Sequence, residues 1–156
     1  MFTAVTLLAC VGAGTVGGVF FAFSTFVMKA LAQLPADQGV TAMQRINVVV
    51  LNPPFLGVFL GTAFLAAACV VLSVLRWGSL QSGLLLASGL LYLGGSLLVT
   101  VVFNVPRNER LAGLDPWSAQ ATEYWAAYLH EWSRWNHVRS VASIASAACS
   151  AGALAI

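Results

Sequence analysis

The sequence predicts an all-α protein: an integral membrane four-helix bundle with a long cytoplasmic extension of the last helix. Three observations lead there. Of 156 residues, 60% are hydrophobic and 8% charged, where an ordinary soluble domain is about a quarter charged. Mean hydropathy is +0.88. Four apolar runs, three of them charge-free and the last charge-free after Arg139, approach or exceed the roughly 20 residues that cross a bilayer, and Lys and Arg collect in two of the three connections between them. The net charge of +2, without a basic run, argues against a nucleic-acid partner. The expected location is the cell membrane, multi-pass, with lipid as the surrounding partner.

The first span covers about residues 3–28 and stops before Lys29. Its start, "MFTAVTLLAC", has no basic n-region, and the apolar run continues too long for a cleaved signal. It is expected to stay in the mature protein. Within it, "GAGTVG" (Gly12 to Gly17) matches a dinucleotide fingerprint on paper, with Asp37 downstream. The context fails, because the helix after it is apolar all round and no second strand precedes Asp37. Gly14 and Gly18, like Gly57 and Gly61 in the next span, form GxxxG pairs instead. Such pairs let helices approach closely, within the bundle or between copies in a homo-oligomer.

The second span, about residues 53–75, opens on Pro53, whose missing N–H costs nothing in a first helical turn. The third covers about residues 82–103 and closes at "NVPRN", where Pro106 disfavours further helix. The last covers about residues 136–155. All four belong to a single membrane domain over 1–156. Cys10, Cys69 and Cys149 fall in three separate apolar runs without a CxxC, and read as small packing residues.

Orientation is set by the connections. The first and third contain Lys29, Arg45, Arg107, Arg110, Arg134 and Arg139, whereas the second contains only Arg76. The positive-inside rule then puts both long connections in the cytoplasm and both termini outside. Polar residues gather on the same side, so any site belongs at that end of the bundle.

The last helix is the most informative. Asp115-Pro116 offers an N-cap and first turn, and no Pro or Gly interrupts until Gly152. A helix of nearly 40 residues, about 55–60 Å, can therefore run from the cytoplasm into the membrane. Trp132, Asn136, Arg139, Ser143, Ser146 and Ser150 step by 4, 3, 4, 3 and 4 and share one face. In lipid that polar face should turn inward, which places Arg139 in the bundle mouth. Snorkelling of Arg139 to lipid phosphates is the alternative. His130, Arg134 and His137 lie on another face, and a guanidinium between two imidazoles makes a poor metal site. No metal is expected. Trp117, Tyr124 and Trp125 read as an interfacial aromatic belt, while Trp132 and Trp135 fit either a belt or a pocket wall.

Four stretches, "GGVFFAFSTFVMKAL", "MQRINVVVLNPPF", "VVFNVPRNERL" and "WSRWNHVRS", resemble the anthrone oxygenase-like family and run in its order over most of the chain. The resemblance implies a four-helix membrane protein, some of whose relatives oxidise anthrones to anthraquinones. It singles out Asn47, Asn104, Pro106, Asn108, Trp132, Trp135, Asn136 and Arg139. The chain departs from the pattern at Lys29, where proline is usual, and at Arg107, where leucine is usual; His130 is often arginine.

The implied chemistry is physically accessible. An anthrone CH₂ is acidic because its anion is an aromatic enolate, and that electron-rich anion can reduce O₂ directly. No cofactor is then required. The site needs a base, donors for the enolate oxygen, and a flat apolar pocket. The expected roles are His137 as base, with Arg139, Asn136 and Asn104 around the oxyanion. Trp132 and Trp135 would stack on the substrate rings, with Asn47 and Asn108 as further binding residues. The partners would be an apolar aromatic small molecule and O₂. Competing classes are a non-catalytic scaffold or hydrophobic-ligand binder, and a transporter, for which no inverted repeat or broken helix speaks.

Overall fold

A computed structural model describes residues 2–156. Its four long helices are each long and apolar enough to cross a membrane: α1 (Phe2–Leu31), α3 (Pro53–Leu75), α4 (Leu80–Ala112) and α5 (Ala119–Ala155). A shorter helix, α2 (Ala36–Val49), lies in the first connection. The long helices form a ring in which α1 packs on α5 and α3, and α4 packs on α3 and α5. Two contacts gather the chain's ends beside the α3–α4 link. Arg76 stacks over the Phe2 ring at 4.9 Å, and Gln81 Nε2 donates to the Ala153 carbonyl at 2.7 Å. We call this the link end. The opposite end carries α2 and the α4–α5 turn.

Many small polar side chains lie inside the bundle among its apolar core, and many large apolar ones lie on its outside. Thr6, Thr62, Ser73, Ser88, Ser96, Ser143, Ser146 and Ser150 are buried, while Leu8, Phe64, Val71, Leu75 and Val141 are exposed. Water would reverse that arrangement, but in lipid small polar residues are what bring helices together. Ser88 Oγ meets Ser146 Oγ at 3.1 Å and Ser150 Oγ at 2.7 Å. Close approach is set by particular glycines. A side chain at Gly89 would strike Val70 and the Ala66 carbonyl, one at Gly95 would strike Ala142, and one at Gly12 would strike Thr62. Within the bundle the GxxxG pairs contribute little to close approach. Gly14 faces only Ala147, and Gly18, Gly57 and Gly61 have nothing within 4 Å.

Several boundaries differ from expectation for identifiable reasons. Helix α3 does open at Pro53, with Asn52 Oδ1 accepting from the Phe55 N–H at 2.9 Å. Helix α1 passes Lys29 and ends at Leu31, and α4 passes straight through Pro106 to Ala112. Both contain wider π-type turns, at Phe23–Val27 in α1 and at Leu91–Leu98 and Thr100–Asn104 in α4. The last ends at Asn104, two residues before Pro106, and covers the turn that a proline ring would otherwise clash with. Helix α5 begins at Ala119, not at Asp115-Pro116: Ser118 Oγ caps it by accepting from the Ala121 N–H at 3.1 Å. Asp115 instead receives the Trp117 N–H at 3.2 Å.

Outside the ring, α2 packs on the first half of α5. Val40 and Met43 join Met28, Leu31, Leu111, Trp125, Tyr128 and Trp132 in one buried cluster. Trp125 is therefore core and not part of an aromatic belt; it covers Gly39, where no Cβ would fit. Gln44 Nε2 ties α2 to the end of α4, donating to the carbonyls of Leu111 and Leu114, each at 2.9 Å.

Candidate functional site

The inward face of α5 is present as the spacing predicted. Trp132, Asn136, Arg139, Ser143, Ser146 and Ser150 are all buried. From Ser143 onward they meet small neighbours and close the bundle. From Trp132 to Arg139 they meet aromatic rings and amides, and a cavity opens.

Arg139 is 5% exposed. Its guanidinium carbon stands 4.1 Å from the Phe20 ring centre and 5.1 Å from that of Trp132. Its Nη2 donates to Asn136 Oδ1 at 2.6 Å and its Nη1 to Thr100 Oγ1 at 3.2 Å. Nε is buried without a hydrogen-bond partner. Among the described residues no carboxylate pairs with it; the salt bridge present joins Arg107 and Glu131 at 2.8 Å. The side chain does not snorkel outward. A cation removed from water normally has a counter-charge or a functional reason, and two aromatic faces supply only part of its stabilisation.

Asn136 is the anchor for this cation. Its Nδ2 donates to the Phe20 carbonyl and to Ser24 Oγ, both at 2.8 Å, which leaves Oδ1 aimed at Arg139. The Ser24 bond falls within the widened turn Phe23–Val27 of α1. Asn108 performs a parallel task on α4. Its Oδ1 accepts from Tyr128 Oη and Trp132 Nε1, both at 2.8 Å, and so fixes the Trp132 ring.

The cavity has a volume of about 350 Å³ and draws its wall from all five helices, within the size range of small-molecule sites. Phe20, Phe23, Phe55, Phe59 and Trp132 supply flat apolar surface. Asn47, Asn108, Thr100, Gln44, Glu109 and Arg139 are its polar groups. Asn47 Nδ2 is a second buried donor without a partner. Exposed Val48 and Leu51 lie at the rim.

The expected site residues divide accordingly. Arg139, Asn47, Asn108 and Trp132 line the cavity. Asn136 is one bond behind it. Asn104 is buried and donates to the Trp132 carbonyl at 3.2 Å, so it braces α5; it is not part of the cavity wall. Trp135 stacks on Phe103 with ring centres 3.6 Å apart, outside the cavity wall. His137 is exposed and also outside it. The reason is geometric: consecutive helical residues point about 100° apart, and Asn136 faces inward. His137 is thus not in a position to act as the base. His130 is exposed as well, and no three His, Cys, Asp or Glu among the described residues converge on a metal-sized site.

Sequence reasoning missed Phe20, Phe23, Gln44, Thr100 and Glu109. Val105, Asn108, Glu109 and Ala112 all line the cavity and step by 3, 1 and 3, one face of a helix. That stripe is visible only once α4 is allowed to continue past Pro106.

The family profile described as anthrone oxygenase matches residues 55–149. This stretch runs from the first turn of α3 into the last turns of α5, and it includes Asn108, Trp132, Asn136 and Arg139. No curated protein and no solved structure matches the chain. With more than half of its length matched, including the helices that hold the buried arginine, the chain belongs to the anthrone oxygenase family.

Proposed function

We propose that this protein is a membrane-embedded oxygenase-like enzyme that oxidises an anthrone or related polycyclic phenol with O₂ through a stabilised enolate. The observation that carries the reading is Arg139. It is a buried guanidinium with no carboxylate partner and a free Nε, and it lines an aromatic cavity of about 350 Å³. A flat aromatic substrate matches the Phe and Trp walls, and an oxygen that becomes anionic supplies the missing counter-charge. Preorganised donors stabilise a developing charge most where water is scarce. Asn47 Nδ2 is the second donor available to it.

Each polar residue then has a role. Arg139 holds the enolate oxygen, Asn136 and Thr100 hold Arg139, and Asn108 holds the Trp132 ring against which the substrate lies. Asn104 and Trp135 brace the helices. The reading calls for no bound metal or flavin, since the enolate is itself the reductant.

The site end faces the cytoplasm in this reading, because Lys and Arg concentrate in its connections. Cysteines introduced at Ser79 and Ala119 should then be labelled from opposite sides of the membrane; labelling from one side contradicts the orientation.

The test of function is O₂ uptake by the purified protein across a panel of anthrones and hydroquinones, with the quinone product measured alongside. Uptake matched to quinone formation supports the enzyme. Tight binding of the same compounds without uptake would favour a hydrophobic-ligand binder, to which the same cavity is suited.

A further inference from the structure

Carbanion formation needs a proton acceptor, and with His137 outside the cavity the expected one is absent. The wall offers a short choice. Of the residues that line the cavity, Glu109 and Arg139 alone carry ionisable side chains; no histidine, cysteine, tyrosine or lysine is among them. Arg139 is a cation with no proton-accepting lone pair to offer. Glu109 remains.

Its surroundings leave the carboxylate uncommitted. Arg107, two residues before it, is held by Glu131, with Nε at 2.9 Å and Nη2 at 2.8 Å from Oε2. Arg110, the next residue, lies over the Tyr124 ring at 4.1 Å. Glu109 itself has no ion pair or side-chain hydrogen bond among the described residues, and it is exposed on one side while lining the cavity on the other. A group so placed can take a proton from a molecule in the cavity and exchange it with water at the rim. Arg139, at 5% exposure, sits in the depth of the same space. The cavity therefore has a carboxylate at its rim and a guanidinium within.

We propose that Glu109 is the general base of this site and shuttles both protons of the reaction. The assignment rests on the functional reading above. In the first step the carboxylate takes one proton from the ring methylene, and the C–H pair moves into the ring system and onto the oxygen held by Arg139. That anion passes one electron to O₂, and the resulting radical and superoxide combine to form a C–O bond. Glu109 returns its proton to the distal peroxide oxygen, giving a hydroperoxide. It then removes the second methylene proton as the C=O bond forms and the O–O bond breaks. The departing hydroxide takes that proton as water. One O₂ is reduced by four electrons, the CH₂ becomes C=O, one water leaves, and Glu109 is a carboxylate again.

The experiment compares wild type, Glu109→Gln and Glu109→Asp in detergent, with O₂ uptake and quinone formation measured on an anthrone and on its methylene-dideuterated form. Glu109→Gln is isosteric at an exposed position, and its melting temperature should equal that of wild type. Its kcat should fall roughly a hundred- to ten-thousand-fold, with KM changed less than about threefold because Arg139 and the rings still bind substrate. Its residual rate should climb with hydroxide concentration and show a primary deuterium effect. Glu109→Asp should recover part of kcat. If wild type is active and Glu109→Gln keeps its kcat and isotope effect, the assignment is wrong while the functional reading survives. If wild type consumes no O₂ with any anthrone, the functional reading fails and the assignment with it.

Discussion

The two ends of this bundle are built from the same four helices and differ in almost every physical respect. At the link end the spacers are small. Gly89 sits against the Ala66 carbonyl, Ser88 bridges to Ser146 and Ser150, and Ser79 and Ser82 form a reciprocal cap at the start of α4. Among these contacts donors and acceptors are matched. At the other end the spacers are Phe20, Phe23, Phe59 and Trp132, the helices include widened turns, and a fifth helix is needed to cover the gap. There Asn47 Nδ2, Asn104 Oδ1 and Arg139 Nε are buried without partners, while the hydroxyls of Ser96 and Ser143, further along the bundle, are the other such atoms among the described residues. Unpaired buried polar atoms are costly and uncommon in a finished core. Amide and guanidinium atoms without partners thus concentrate at the cavity end, which is where the proposed function puts its ligand, while the contacts of the link end are small and paired.

The largest effect should come from removing the anchor of the open end. Asn136→Leu deletes two donated bonds and strands the Arg139 guanidinium, so we expect a loss of about 3 kcal/mol in stability together with loss of turnover. Thermal unfolding in detergent checks it; an unchanged melting temperature would mean that Asn136 is not the anchor. Asn108→Leu should cost less, about 2 kcal/mol, since Tyr128 Oη and Trp132 Nε1 lose one shared acceptor. Its diagnostic is a raised KM, as the Trp132 ring loses its fixed orientation.

At the link end the test is steric. Gly89→Leu must displace Val70 and the Ala66 backbone, and overpacking of this kind typically costs about 1–3 kcal/mol. Gly57→Leu, with open space beside it, should melt as wild type does. Equal effects at the two glycines would mean that the helix separation is not set where the structure places it. The smallest expected effect is that of His137→Ala. This side chain is exposed, and turnover should remain within about twofold of wild type, as for most surface changes remote from a site. A large loss would restore His137 as a participant.

How far the sequence disclosed this arrangement depends on which element is considered. The inward face of α5 was legible from Trp132 to Ser150, because in lipid a run of serines at helical spacing has only one favourable direction to face. The position of Arg139 came with that register. The long helices were legible because charge-free runs leave few alternatives. What stayed hidden was every feature that depends on how the helices meet. Pro106 reads locally as a stop, yet the wider turn at Thr100–Asn104 accommodates it, and Glu109 could not be placed until α4 was known to continue. Trp125 reads as an interfacial residue, and only its burial against α2, over Gly39, shows it to be core. Asn104 and Trp135 stand at motif positions but are occupied by the Trp132 carbonyl and by Phe103. A motif position shows that a residue is used, and its partners show for what.

The functional reading stands or falls on whether Arg139 serves an oxyanion or merely the packing of α5. The turnover of Arg139→Lys on an anthrone, set beside its melting temperature, separates the two. Lysine keeps the charge but lacks the planar fork of donors that reaches Asn136, Thr100 and a ligand together. We predict a fall in kcat of roughly a hundred- to a thousand-fold, equivalent to about 2.7–4 kcal/mol of transition-state stabilisation, in a protein that still inserts and folds. Wild-type turnover in Arg139→Lys would contradict the account.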